Sequence, residues 1–242
     1  ISVNTSALDL DLDLDLNLSP LDQNQDQNQR ERSRFRQSEM KTEHQTSNTK
    51  DKLPILISVP HAGESVPPEI ADHCILTPEQ VIADGDVGAS EIYAIRDEVE
   101  LYLTTPVARA IVDLNRAPDD RQRDGVIKTH TCWMEPVYRQ FPNEEMINRL
   151  LECYYFPYHS TLTAFSDCGV IIGIDCHTMA EKGPPEGPDP GAVRPRVCLS
   201  NGDGTTCPKD WFKSLAECFA KHFDGNVSLN RPFKGGFITR SH

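Results

Sequence analysis

Apolar residues gather into short runs that begin only after residue 52. Leu53-Pro-Ile-Leu-Ile-Ser-Val-Pro60 is a continuous run of strand length closed by a proline. It predicts a buried strand that delivers the chain into His61-Ala-Gly63. From Gly88 to Leu103, Ile92, Ile95, Val99 and Tyr102 recur at helical spacing opposite acidic residues, which predicts one amphipathic helix. Ala110-Ile-Val-Asp-Leu114 reads as a second short strand, followed by Asn115-Arg116 and a polar loop through Arg123. Glu144 to Phe165 carries Met146, Leu150, Tyr154 and Leu162 at helical spacing, with Pro157 set to kink or divide the element. Gly169-Val-Ile-Ile-Gly-Ile174 predicts the clearest buried strand and ends at Asp175-Cys176-His177. After a Pro/Gly-rich loop come a strand over Arg196 to Leu199 and a helix from Lys209 to His222, with Pro208 suited to its first turn.

Strands alternating with helices predict an α/β fold: a three-layer mixed sheet with helices on both faces. In such folds ligands sit beyond the carboxyl ends of strands. Three predicted strand ends carry His61, Asn115-Arg116 and His177, so these residues can converge on one site.

The first fifty residues have a different texture. A Leu/Asp alternation from Leu8 to Leu18 leads into a Gln/Asn/Asp tract and an arginine-studded stretch from Arg30 to Arg36. Such a segment buries too little apolar surface to offset chain entropy, so residues 1–52 are expected to be a disordered tail and 53–242 the folded domain. A ribbon with one face of aspartates would repel itself.

Charge narrows the function classes. A formal net charge of −13 excludes a nucleic-acid partner, since phosphate binding needs a basic patch. The apolar runs are far shorter than the roughly 20 residues that cross a bilayer, so no membrane partner is expected. Eight scattered cysteines without a Cys-x-x-Cys pair fit reduced thiols, and hence a cytoplasmic location.

His61-Ala-Gly-Glu64 has the His-x-x-Glu spacing that can present an imidazole and a carboxylate to one ion, and His177 can supply a third ligand. Two histidines and a carboxylate with an open fourth position form a catalytic zinc arrangement. An ion there would bring the pKa of bound water to roughly 7 and polarise a carbonyl oxygen, as amide hydrolysis requires. Asp84-Gly-Asp86-Val-Gly88 offers a rival carboxylate in Asp86, and its bland reading is a solvated turn near a helix N-terminus. The residues themselves leave Glu64 and Asp86 both open as third ligand. Arg116, with the amide of Asn115 beside it, can clamp a carboxylate, and Arg109 can do similar work. Asp113 reads as a buried acceptor behind a ligand histidine. Adjacent side chains on a strand point to opposite faces, so Cys176 and His177 do not form a catalytic pair.

Six ordered motifs carry a resemblance. Ser58-Val-Pro-His-Ala-Gly63, Asp84-Gly-Asp86-Val-Gly88, Ala108-Arg-Ala-Ile-Val-Asp-Leu-Asn-Arg116, Tyr158-His159, Asp175-Cys-His-Thr-Met179 and Asn230-Arg-Pro-Phe-Lys-Gly-Gly-Phe-Ile-Thr-Arg240 resemble those of the N-formylglutamate amidohydrolases. The resemblance covers nearly all of residues 53–242. It implies a fold similar to the zinc carboxypeptidases, one divalent metal ion, zinc by preference, and release of formate from N-formyl-L-glutamate in histidine breakdown. The alternatives are a deacylase or carboxypeptidase-like enzyme on other N-acyl amino acids, or a non-catalytic carboxylate-binding member. His61 and His177 become metal ligands, and Arg116 with Asn115 meets the substrate carboxylate. The family position at Glu64 is often not acidic, which favours Asp86 as third ligand and leaves Glu64 as the candidate base. The family pattern continues to a glutamate beyond the Gly-Gly-Phe-Ile-Thr-Arg segment, so a chain ending at His242 is expected to be truncated and poorly active.

Overall fold

A computed structural model describes residues 1–4, 52–165 and 169–242. The expectation of disorder and the Leu/Asp and arginine stretches fall on residues 5–51, outside the described residues.

The centre of the fold is β2 (Leu53–Val59). It pairs in parallel with β3 (Val99–Thr104) on one side and β4 (Ile172–Asp175) on the other. A second group of strands runs β5 (His177–Met179), β1 (Ser2–Asn4), β6 (Val197–Leu199) and β7 (Val227–Leu229). Only Cys176 separates β4 from β5. Its N–H donates to Ser58 O on the β2 side, whereas the N–H of His177 donates to Ile1 O on the other. One extended stretch therefore hands the ladder from the first sheet to the second. The β1–β6 pair is antiparallel and the other pairs are parallel, so the strand set is mixed. Ser2–Asn4 departs from the expected tail: Val3 is buried between β5 and β6. Three residues with one apolar side chain give no periodicity, so only the partner strands reveal them as a strand.

Successive residues of β2 feed two separate cores, as strand alternation requires. Leu56 packs with Ile70, Ile111, Val126, Leu150 and Tyr155, whereas Ile57 and Val59 pack with Tyr93, Val99 and Leu199. The first core is roofed by α3 (Glu144–Leu150) and α4 (Phe156–Phe165). The second receives Phe212, Leu215 and Phe219 of α5 (Lys209–His222).

Two predicted elements are overturned. The expected helix from Gly88 to Leu103 is a four-residue α2 (Ala89–Ile92), a turn, and then β3. Val99, Leu101 and Leu103 also alternate with period two, and the free edge of β2 selects that reading. The expected strand over Ala110 to Leu114 is a wholly buried set of turns: Ile111 and Val112 N–H donate to Ala108 O, and Asp113 N–H to Val126 O. A short apolar run cannot by itself distinguish these outcomes.

The segment Glu144–Phe165 is divided next to Pro157, which stands at the second position of α4. A π-helical turn over Leu151–Tyr155 lies immediately before it, and the wider turn accommodates a residue that lacks an N–H and crowds the preceding turn. A capping box at Thr77 and Gln80 starts α1 (Pro78–Asp84), and α6 (Phe237–Ser241) closes the described chain. None of the helices among the described residues is long and apolar enough to cross a membrane.

Candidate metal centre

The carboxyl end of β2 turns at Pro60 and sets His61 in the interior. Gly63 allows the turn, because a Cβ there would lie 2.3 Å from Val107 O. The loop between α1 and α2 returns to the same place: Asp86 N–H donates to His61 O at 3.0 Å. His177 arrives from the first position of β5. The ligand atoms of His61, Asp86 and His177 lie within 4.8 Å of one another.

Both imidazoles are held in the same way. His61 Nε2 lies 2.8 Å from Asp113 Oδ1, and His177 Nε2 lies 2.8 Å from Asp175 Oδ2. Donation from each Nε2–H leaves both Nδ1 atoms facing Asp86, at 3.7 Å from Oδ1 for His61 and 2.8 Å from Oδ2 for His177. His61 Nδ1 is buried without a hydrogen-bond partner among the described residues. A buried nitrogen in that condition costs free energy, and a carboxylate anchored behind each histidine is the usual setting of a metal-bound imidazole. The donor set thus fits a divalent cation held by His61 Nδ1, His177 Nδ1 and the Asp86 carboxylate.

Charge within the cluster is balanced. Burial alone would push the Asp86 carboxyl up, but His177 and His61 outweigh it and hold the group far below the usual carboxylate range. Burial pushes His177 down, yet Asp175 and Asp86 raise it to about 9. Asp113, opposed by burial, is held well down by His61, Arg116 and Arg109. The Asp86, Asp113 and Asp175 carboxylates, all held below the usual range, keep their charge in the interior.

A cavity of about 670 Å³ opens beside this cluster, lined by His61, Asp86, Arg109, Asn115, Arg116, Asp175, His177, Lys234, Arg240 and His242 among others. Arg109 donates from Nε to Asp113 Oδ2 at 3.1 Å and stands 3.7 Å from Asp86 Oδ1, so it balances the aspartates. Arg116 reaches the cavity with its guanidinium paired to Asp124, and Tyr155 fixes its backbone carbonyl through a 2.7 Å hydrogen bond. The Asn115 amide is engaged at both ends: Nδ2 donates to Asp175 Oδ2 and Oδ1 accepts from Ile238 N–H. That seat requires Gly236, where a Cβ would fall 2.3 Å from the amide oxygen. Asn115 therefore braces Asp175 while lining the cavity beside Arg116.

Glu64 is corrected. It is exposed, and it is absent both from the cavity lining and from the ligand cluster. Past Gly63 the chain runs beside Val107, where Ser65 forms a bridge that carries position 64 away from the histidines. The carboxylate in the cluster is that of Asp86. Asp84, read as part of a solvated turn near a helix N-terminus, instead ends α1 with no exposure and accepts from Lys128 Nζ and Cys132 N–H. Cys176 faces the second core, where burial pushes its thiol up to about 12, apart from His177.

Sequence reasoning left out Asp175, Lys128 and Arg240. Asp175 and Arg240 lie within the ordered motifs without an assigned role, and Asp175 is further signalled by its place two residues before His177 on one strand face. Lys128 gave no signal, because nothing local marks a lysine as buried.

A model of the N-formylglutamate amidohydrolase family matches residues 53–242. The chain belongs to the N-formylglutamate amidohydrolase family. The N-formylglutamate deformylase of Pseudomonas putida is 27% identical over 206 residues, covering 79% of this chain and 75% of that protein. The Pseudomonas aeruginosa deformylase is 28% identical over 210 residues, covering 80% and 76%. A solved N-formylglutamate amidohydrolase from Ralstonia eutropha superposes with a TM-score of 0.64 at 20% identity, over 78% of this chain and 76% of that one. A gene product of Agrobacterium tumefaciens gives 0.57 at 14%, over 76% and 69%. At those identities the two structures establish the amidohydrolase fold of this chain.

Proposed function

We propose that this chain is a metal-dependent amidohydrolase that cleaves N-formyl-L-glutamate to formate and L-glutamate. The observation that carries the reading is the paired Asp-braced histidines, both turned by Nδ1 toward Asp86 at the wall of a cavity that also receives arginines. Family membership and the deformylases of two Pseudomonas species support the substrate. A divalent ion, zinc by donor preference, would be held by His61, Asp86 and His177 and would supply Lewis acidity to the amide carbonyl and to water.

The chain's own residues do the rest. Asp113 and Asp175 fix the tautomer and orientation of the two imidazoles. Arg109 offsets the negative charge of Asp86 and Asp113. Arg116 and Arg240 present guanidinium groups to a substrate carrying two carboxylates, a pairing in which arginine's planar fork gives orientation as well as charge.

The reading is tested by metal content after dialysis and by formate release. About one equivalent of ion per chain, lost in His61→Ala and His177→Ala together with turnover, is the expected result. A folded wild-type protein without metal would leave a non-catalytic carboxylate-binding member.

The cavity supports a second reading. Pockets of roughly 300–1,000 Å³ enclose drug-sized ligands, and about 670 Å³ exceeds what a formyl amino acid fills. A deacylase, or a carboxypeptidase-like enzyme acting on bulkier N-acyl amino acids, predicts faster turnover of acetyl or peptide substrates than of the formyl compound.

A further inference from the structure

Behind the cavity, three aspartates from three separate segments converge on one ammonium. Lys128 is wholly buried. Its Nζ donates to Asp84 Oδ2 at 3.0 Å, lies 3.1 Å from Asp124 Oδ1, and lies 3.9 Å from Asp113 Oδ2. Two of these aspartates carry the site: Asp113 holds His61, and Asp124 holds Arg116 through its other oxygen.

The Asp124 contact is the informative one. Asp124 Oδ1 is buried and has no hydrogen-bond partner among the described residues, since the ammonium stands close but off the line of a hydrogen bond. That oxygen is thus oriented by the field of Lys128. Without the cation, the Asp124 carboxylate would face those of Asp84 and Asp113 and be repelled outward from Arg116 Nη2, leaving the guanidinium on the main-chain O of Asp124 and of Asn115. Burial pushes the Asp124 carboxyl up, and Lys128 leads the groups that hold it down.

We propose that Lys128 is a positioning residue that fixes Asp124 and, through it, the Arg116 guanidinium at the cavity wall for binding a substrate carboxylate. The proposal rests on Arg116 as a carboxylate anchor. A group that is held in advance of binding need not be ordered at the moment of binding, so loosening it weakens affinity without touching the reacting atoms.

Removing Lys128 alone would strand Asp84 in the interior and risk the fold. The test therefore uses the Lys128→Met/Asp84→Asn pair, with Asp124→Asn and Arg116→Ala as separate variants, all with the metal-loaded protein. The readouts are L-glutamate affinity by calorimetry and the thermal midpoint. Lys128→Met/Asp84→Asn is expected to weaken L-glutamate binding about tenfold, equivalent to about 1.4 kcal/mol, with metal content unchanged. Adding Asp124→Asn should bring no further loss, because residues acting through one contact are not additive. A weakened Arg116→Ala beside unchanged binding in the double variant would overturn the positioning role, whatever happens to the thermal midpoint. Unchanged binding in Arg116→Ala would instead overturn the anchor reading beneath it. Should the double variant not fold, Asp124→Asn decides: tenfold weaker binding upholds the path to Arg116, and wild-type binding overturns it.

Discussion

His61 leans on Asp113 inside a sealed block of ions, whereas His177 leans on Asp175 at the edge of the cavity, where the side chains that brace Asp175 are neutral. The side chains of His61 and Asp113 are 3% and 0% exposed, and Asp113 also receives Arg109 and the Asn115 N–H, with Lys128 close by. The side chains of His177 and Asp175 are 15% and 7% exposed. Asp175 is braced by the Ser58 hydroxyl and the Asn115 amide, and Ser58 in turn by Tyr158. The two arms present the same nitrogen to Asp86 at different energetic risk. A buried ion network punishes the loss of any one charge, because its partners cannot be rehydrated. A neutral network loses a hydrogen bond, which is worth less.

The largest effect should separate the arms. Asp113→Ala leaves Arg109 and Lys128 facing a vacated carboxylate and is expected to cost about 3–5 kcal/mol of stability. Asp175→Ala is expected to cost about 1–3 kcal/mol. Both should lower metal affinity by roughly 10- to 100-fold, because each frees an imidazole from its brace. Urea unfolding beside a metal-competition titration measures the two quantities separately. Equal stability losses would erase the contrast between an ionic and a neutral brace.

Acid should load the sealed arm further. His159 packs under it, with Nε2 donating to Leu114 O at 2.9 Å, one residue from Asp113. Burial lowers its pKa from 6.5 to about 4, against a smaller upward pull from the Leu114 carbonyl. In the window between those values the unfolded chain binds a proton that the folded chain refuses. The contribution of His159 to stability is therefore complete above pH 6.5 and falls as the pH drops toward 4, by about 3 kcal/mol in all. His159→Gln keeps a side-chain N–H but does not titrate. Its stability should change less than that of wild type across this window, and identical curves would show that His159 takes no part in the acid response.

How much of this was legible follows from the kind of signal each part leaves. His61, Asp86 and His177 come from three ordered motifs whose chain positions bring them to one place, and β2 and α5 have unambiguous apolar patterns. β3 was misread because Ile92, Ile95, Val99 and Tyr102 satisfy a helical period, and only the empty edge of β2 decides for a strand. Glu64 was attractive by spacing, but a three-residue interval places two side chains together only if the turn between them is helical, and Gly63 sends the chain elsewhere. The ion network was invisible for a different reason. Lys128 becomes a buried cation through Asp84, Asp113 and Asp124, and no local pattern announces a meeting of side chains as far as 44 residues apart in sequence.

The smallest effect tests the far end of the neutral arm. The Ser58 hydroxyl donates to Asp175 Oδ1 at 2.9 Å, so its oxygen accepts from the Tyr158 hydroxyl, also at 2.9 Å. Tyr158 is buried, and burial holds its phenol well above the usual range, leaving it a neutral donor. Tyr158→Phe preserves the ring in the first core and removes only that donor. Ser58 keeps its own proton and still faces Asp175, so the His177 brace survives with one support fewer. The expected loss is about 1 kcal/mol of stability, with a change in metal affinity well short of that in Asp175→Ala. A loss of metal affinity as large as that of Asp175→Ala would mean that the hydroxyl chain sets the orientation of the carboxylate outright. The neutral arm would then be as tightly coupled as the ionic one.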